Sequence, residues 1–254
     1  MKPTHLLFAE MTRTELRSIA ADTLVVLPLG ATEQHGPHLP AGTDLLTVDH
    51  VAREAAAKAS AAIPVIVTPP LPFGSSDHHL IFGATLSLGT ETYYRVLTDL
   101  IRSLATDGFR RVFLLNGHGG NHELAELAAR DVARELPVRV AAGSYWNIAW
   151  DALVESQAHL GCRLPGHAGT FETSMMLALR PELVAAERPH RDYGRDTDPR
   201  SFHSPYRHER HGSWKEIDGY SDSPDGGSAE KGRRYQDAVI GAVAQALVEF
   251  AQAD

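Results

Sequence analysis

The chain of 254 residues has one cysteine, Cys162, and no excess of basic residues. A single thiol excludes an intramolecular disulfide framework and a cysteine-based zinc site, and it makes a reducing cytoplasm the expected compartment. The 24 Lys and Arg stand against 32 Asp and Glu, a formal net charge of −8. A nucleic-acid footprint needs a basic face, and this balance argues against one. Long hydrophobic runs are missing too. Polar residues interrupt every apolar stretch well short of the ~18 residues that a membrane helix requires. Residues 1–20 hold no apolar segment of the kind a signal peptide needs. A chain of this size buries a sizeable core without disulfides or metals to hold it together. A metal site, if present, must draw on His and carboxylate, and histidine is in supply, with 14 in the sequence.

Short apolar runs alternate with longer helical patterns. Thr23 to Leu29, Pro64 to Thr68, Arg111 to Leu115 and Val138 to Ala142 read as strands buried on both faces. Helices are expected over 12–21, 45–62, 91–107, 122–136, 170–180 and 229–252, with Thr90 as an N-cap and Gly108 as a stop. This alternation predicts an α/β fold, a single-domain three-layer sandwich with a mostly parallel central sheet flanked by helices, over 1–254. Residues 187–228 are polar and rich in Pro, Gly, Arg and His, and are expected to form an irregular lid or interface segment.

In open α/β sheets ligands bind beyond the carboxyl ends of the strands. The loop after the first strand carries Glu33–Gln34–His35–Gly36–Pro37–His38, with Asp44 further on. Such ligands suit Zn²⁺ or Mn²⁺, and in an extended segment Glu33 and His35 point the same way. The alternative is a polar loop with solvated side chains. The loop after the third strand is Asn116–Gly117–His118–Gly119–Gly120–Asn121. His118 can bind a metal there; a phosphate cradle is the competing reading, but neither glycine-rich phosphate motif is matched. The third segment is His167–Ala168–Gly169–Thr170–Phe171–Glu172. Glu172 falls in a first helical turn, where the helix dipole favours a carboxylate whether or not a metal is bound.

The segments 27–44, 116–121 and 167–177, in this order and spacing, closely resemble the creatininase, or creatinine amidohydrolase, family. The resemblance covers about residues 10–185 and is poor beyond. It implies an enzyme, a dinuclear metal-dependent amidohydrolase with two divalent ions per chain, Zn or Mn, in a homo-oligomer (a hexamer, a trimer of dimers). It further implies that Glu33 and His118 hold one metal, His35 the other, and that Asp44 bridges them. Two such ions ~3.5–4 Å apart lower the pKa of a bridging water, whose hydroxide attacks a carbonyl. His167 matches the family's catalytic histidine and would protonate the departing nitrogen.

Departures from the pattern bear on substrate. Creatininases proper carry Tyr-Glu after the motif histidine, where this chain has Gly119 and Gly120; Glu172 is expected to supply the missing ligand. They also carry a tryptophan four residues before the catalytic histidine, where this chain has Arg163. Trp146 matches a family aromatic position. Trp146, His78, His79 and Arg163 are the candidate substrate contacts, with exposed loop residues as the plain alternative for the last three. The expected reaction is hydrolysis of a C–N bond in a small molecule, a cyclic amide or formamide other than a peptide. Relatives that open an oxidised inositol ring by C–C cleavage, or that mature a ribosomally made redox cofactor as peptidases, supply alternatives. A metal-binding or ligand-binding protein without activity is the non-enzyme alternative. The remaining histidines, among them His159, His190, His203, His208 and His211, are expected at the surface or an interface, and Cys162 as a packing residue.

Overall fold

Four short apolar runs form four strands, β1 (Leu24–Leu29), β2 (Val65–Val67), β3 (Arg111–Asn116) and β4 (Arg139–Ser144). They lie side by side in the order β2-β1-β3-β4, and every pairing is parallel. The computed structural model describes Pro3, residues 5–191 and residues 210–253. His203, His208 and part of the 187–228 segment lie outside the described residues.

The helices are α1 (Arg13–Ile19), α2 (Thr43–Ala59), α3 (Thr90–Thr106), α4 (His122–Glu135), α5 (Tyr145–Ile148), α6 (Trp150–Glu155), α7 (Thr170–Leu179), α8 (Ser213–Glu216) and α9 (Ala229–Gln252). Thr12 caps α1 in a reciprocal box with Glu15, and Ser228 caps α9 by accepting from the Lys231 N–H. Alternation along the strands sorts the core into two layers. Leu24, Val26, Val65, Val67, Phe113 and Leu115 pack on one face, against α2, α7 and α9. Val25, Leu27, Leu29, Ile66, Val112 and Leu114 pack on the other, against α3 and α4. The result is a single-domain α/β sandwich, three layers deep, its core built from β-branched and leucine side chains that contribute about 1.5–3 kcal/mol each when fully buried.

Some expectations are corrected. Gly89, not Thr90, is the cap residue of α3, because Thr90 already has helical geometry. Gly108 does end that helix, with φ +103. The short helices α5 and α6 were not foreseen. His159 is only 8% exposed, so it is an interior residue and not a surface one. Leu29 pairs with Asn116, so β1 and β3 end at the same level and their following loops emerge side by side.

Candidate metal centre and active site

The loop leaving β1 folds back on itself. Glu33 N–H donates to Ala41 O at 2.8 Å, and Gly36, at φ +64, donates its N–H to Gln34 Oε1 at 2.9 Å. Asp44 enters from the first turn of α2, and Glu172 from the first turn of α7. Both carboxylates therefore sit at helix N-termini, where the backbone N–H groups favour their charged form. His118 is held by Asn116, whose side chain accepts from His118 N–H at 3.1 Å and donates to His118 O at 2.7 Å. Asn121 ties the same loop to its neighbours, donating to Gly30 O and accepting from Ser75 N–H. The two asparagines of the NGHGGN motif thus hold the loop that carries His118 through side-chain hydrogen bonds to its backbone and to neighbouring segments.

These loops bring Glu33, His35, Asp44, His118, His167 and Glu172 together, all 8% exposed or less. The three histidines His35, His118 and His167 each turn one ring nitrogen to a backbone carbonyl, His35 through Nδ1 and the other two through Nε2. His35 Nδ1 faces Glu33 O at 3.0 Å, His118 Nε2 faces Ser75 O at 3.2 Å, and His167 Nε2 faces Gln34 O at 3.0 Å. A carbonyl oxygen only accepts, so each of those nitrogens carries the hydrogen. Each ring's other nitrogen is turned on carboxylate oxygens. His35 Nε2 lies 3.2 Å from Asp44 Oδ1 and 3.7 Å from Glu172 Oε2. His118 Nδ1 lies 3.1 Å from Asp44 Oδ2 and 3.3 Å from Glu33 Oε1. His167 Nδ1 lies 3.5 Å from Glu33 Oε1. A nitrogen lone pair facing a carboxylate is repulsive unless a proton or a cation lies between. Backbone carbonyls that fix the tautomer in this way are the usual outer contacts of metal-binding histidines.

The carboxylates give the same indication. Glu33 Oε1 and Oε2 and Asp44 Oδ2 are buried and receive no well-formed hydrogen bond. Buried charges of this kind are normally paired or bound to metal. Burial pushes the Glu33 carboxyl up, yet the His118, His167 and His79 rings prevail and hold it well below its usual range. Asp44 behaves likewise, with His35 and His118 outweighing burial. Burial pulls His35 down, but Asp44, Glu172 and Glu33 raise it to about 10. His118 is raised for the same reason. Burial lifts Glu172 to about 8, with Asp44 adding to the lift and His35 opposing it. Without cations the cluster thus keeps protons on His35 and His118 at neutral pH, and largely on Glu172 as well. Four overlapping groups of three have ligand atoms within 4.8 Å of one another, including Glu33, His35 and Asp44, and His35, His167 and Glu172. The donor set fits divalent cations, with one oxygen of Asp44 directed to each of two histidines.

Gly120 leaves no room for a side chain at the position where the resemblance implies a Glu in creatininases proper. A Cβ there would lie 2.1 Å from Ser75 O and 2.6 Å from His118 Nε2, so no side chain fits without displacing the loop. Glu172 Oε2 instead reaches the His35 side of the cluster.

The other predicted residues surround the same cavity, of about 1060 Å³, which Trp146, His78, His79 and Arg163 all line. His79 is fully buried. Its Nδ1 accepts from Gln34 Nε2 at 2.9 Å, so its Nε2–H points to Glu33 Oε1, 3.5 Å away. Burial pushes it down to about 3, so it stays neutral. Arg163 is exposed at the rim. Cys162 is buried, and burial raises its thiol to about 12. Sequence reading missed Gln34, whose side-chain amide donates to His79 Nδ1 and Gly219 O, and Trp214 on α8. The Trp214 ring stands 4.6 Å from that of His79 and 5.4 Å from those of His78 and His167. It also missed Ser221 and Asp222. The only available signal was the polar character of a long segment with no periodicity.

Comparison with known proteins agrees with this geometry. The family profile for creatininase, creatinine amidohydrolase, matches residues 9–247. The creatinine amidohydrolase of Pseudomonas putida is 36% identical over 189 residues, covering 68% of this chain and 71% of that protein. A mycofactocin precursor peptide peptidase of Mycobacterium tuberculosis is 36% identical over 173 residues, 65% of this chain and 61% of the peptidase. A 3-dehydro-scyllo-inosose hydrolase of Thermotoga maritima is 29% identical over 206 residues, 79% of this chain and 63% of that protein. The solved manganese form of creatininase superposes with a TM-score of 0.75 at 28% identity, over 98% of this chain and 100% of the other. A zinc-zinc form of a mutant creatininase gives 0.73 at 28%, with the same coverage. On these grounds the chain belongs to the creatininase family of hydrolases.

Proposed function

We propose that this protein is a metal-dependent hydrolase of a C–N bond in a small amide, a cyclic amide or formamide, using two divalent cations, Zn or Mn. The observation that carries the reading is the convergence of three histidines, each with one ring nitrogen held by a backbone carbonyl, on buried carboxylates of which Glu33 Oε1 and Oε2 and Asp44 Oδ2 receive no well-formed hydrogen bond. Glu33, Asp44 and His118 would hold one cation, and His35, Asp44 and Glu172 the other. When bound, such a pair supplies Lewis acidity, polarising a carbonyl and lowering the pKa of water toward neutrality.

The chain's own residues then have separate tasks. Burial and the neighbouring His35 hold His167 well below its ordinary pKa, so it rests neutral. Its Nε2–H stays with Gln34 O, and its Nδ1, which faces Glu33 Oε1 at 3.5 Å, is the atom that would take a proton and pass it to the departing nitrogen. Trp146, Trp214 and the His79 ring wall the cavity in which the amide would lie, with Arg163 at the rim. Exposed Phe73, Leu80, Ile81 and Leu86 support a homo-oligomer, to be tested by mass in solution.

A second reading is cleavage at a peptide end. The cavity of about 1060 Å³ would accept one, and the peptidase relative has the same 36% identity as the amidohydrolase, over 173 residues against 189. The test is a panel of cyclic amides, formamides, oxidised inositols and short peptides offered to Zn²⁺- or Mn²⁺-loaded protein. The reading expects metal-dependent release of amine or ammonia from a small amide. It also expects His167→Ala to retain its metals and lose roughly 10²–10⁴-fold in rate. Turnover of peptides alone would select the second reading. Fully metallated protein with no turnover at all would favour a binding protein on this scaffold.

A further inference from the structure

We propose that Asp222, assisted by Ser221, is a positioning residue that holds the segment from Arg163 to Glu172 in the shape that presents His167 and Glu172 to the metal centre. The inference rests on the reading above that Glu172 is a metal ligand.

Asp222 is fully buried. Its Oδ2 accepts from Thr170 N–H, the first residue of α7, at 3.1 Å, and it also accepts from the Arg163 backbone N–H. One carboxylate thus ties both ends of the loop that contains His167. The residue at the cap position of α7 is Gly169, which has no side chain to do this. Asp222, from a distant part of the chain, takes the place of a capping side chain. Gly169 is glycine for a matching reason: a Cβ there would lie 1.8 Å from Asp222 Oδ1.

Ser221 extends the tie. It donates its Oγ–H to Asp222 Oδ1 at 2.7 Å, its Oγ accepts from His167 N–H at 2.8 Å, and its own N–H donates to His167 O at 2.8 Å. Between these contacts Ala168 sits at φ +51, a left-handed conformation that L side chains adopt only when their surroundings impose it. In that conformation the Ala168 N–H reaches Glu172 Oε2 at 2.5 Å, the same oxygen that lies 3.7 Å from His35 Nε2. The direction of the Glu172 carboxylate is therefore set by the strained turn, and the turn is held by Asp222 and Ser221.

Zinc affinity, measured by competition with a chromophoric chelator on the full chain, tests this. Wild-type protein is expected to bind two Zn²⁺ per chain. Asp222→Asn keeps the size and one acceptor oxygen, and is expected to weaken one zinc by about 10–100-fold and leave the other unchanged. Gly169→Ala, which presses on Asp222 from the opposite side, should cause the same selective loss and serves if Asp222→Asn does not fold. Melting of the metal-free protein is recorded in parallel. A lower melting temperature with both zinc affinities unchanged would make Asp222 merely structural and overturn the proposal. Wild-type protein that binds no zinc would overturn the metal reading and this inference with it, whereas two normal zincs in both variants would overturn this inference alone.

Discussion

The two oxygens of Asp44 face different histidines, Oδ1 toward His35 at 3.2 Å and Oδ2 toward His118 at 3.1 Å. That single side chain makes the cluster a candidate for two cations sharing one carboxylate. Protons hold the same positions when cations are absent, which gives a pH dependence with a definite sign. His35 is raised from its ordinary value to about 10, and His118 is raised as well. Both rings therefore carry an extra proton near neutrality, and a cation must displace it. Metal affinity is expected to rise with pH across the neutral range and to level off only as pH passes about 10. Loading at pH 7.5 should release about two to three protons per chain, from His35, His118 and in part Glu172, which burial lifts to about 8, read by calorimetry in buffers of different ionisation enthalpy; zero release would contradict the assignment. At this scale the candidate cluster was legible through motif resemblance: Glu33, His35 and His118 lie in short loops and Asp44 in the first turn of α2, and together their segments match the family pattern although the spacing of each alone leaves a plain polar loop open. The carbonyl partners that fix each tautomer were not. His118 is oriented by Ser75, 43 residues away, and such a backbone contact leaves no trace in sequence pattern.

Among the elements, the site depends on two loops that leave adjacent parallel strands at one level and on the first turns of α2 and α7. The strands and long helices were legible because buried β-branched runs and glycine stops state them locally. The helices α5 and α6 were not, since a helix of four or six residues carries too little periodicity. The turn after His118 gives a direct test of loop packing. Gly120→Ala puts a Cβ 2.1 Å from Ser75 O, a backbone atom that cannot swing away, whereas a Cβ at Gly119 meets nothing within 4 Å. Gly120→Ala is expected to destabilise by about 1–3 kcal/mol and to weaken the cation on the His118 side. Gly119→Ala should stay within about 0.5 kcal/mol of wild type. Denaturant unfolding of both variants checks the contrast, and equal effects would mean that the Ser75 loop does not pack as described.

For the whole molecule, the centre draws on segments spread from Glu33 to Asp222, so no single stretch of sequence describes it. The segment over 187–228, expected as a lid or interface, contributes in its described part a ring over the cavity through Trp214 and a tie behind it through Asp222. Among the described residues no helix is long and apolar enough to cross a membrane. What unites these distant segments is the set of buried carboxylates, which without cations would be a costly arrangement. The central claim is therefore about metal, and metal content tests it most directly. Protein purified without chelators, or reloaded with Zn²⁺ or Mn²⁺, is predicted to hold about two ions per chain by elemental analysis, and Asp44→Ala to hold neither. A wild-type protein that stays metal-free after reloading, or an Asp44→Ala protein that keeps both ions, would contradict the account.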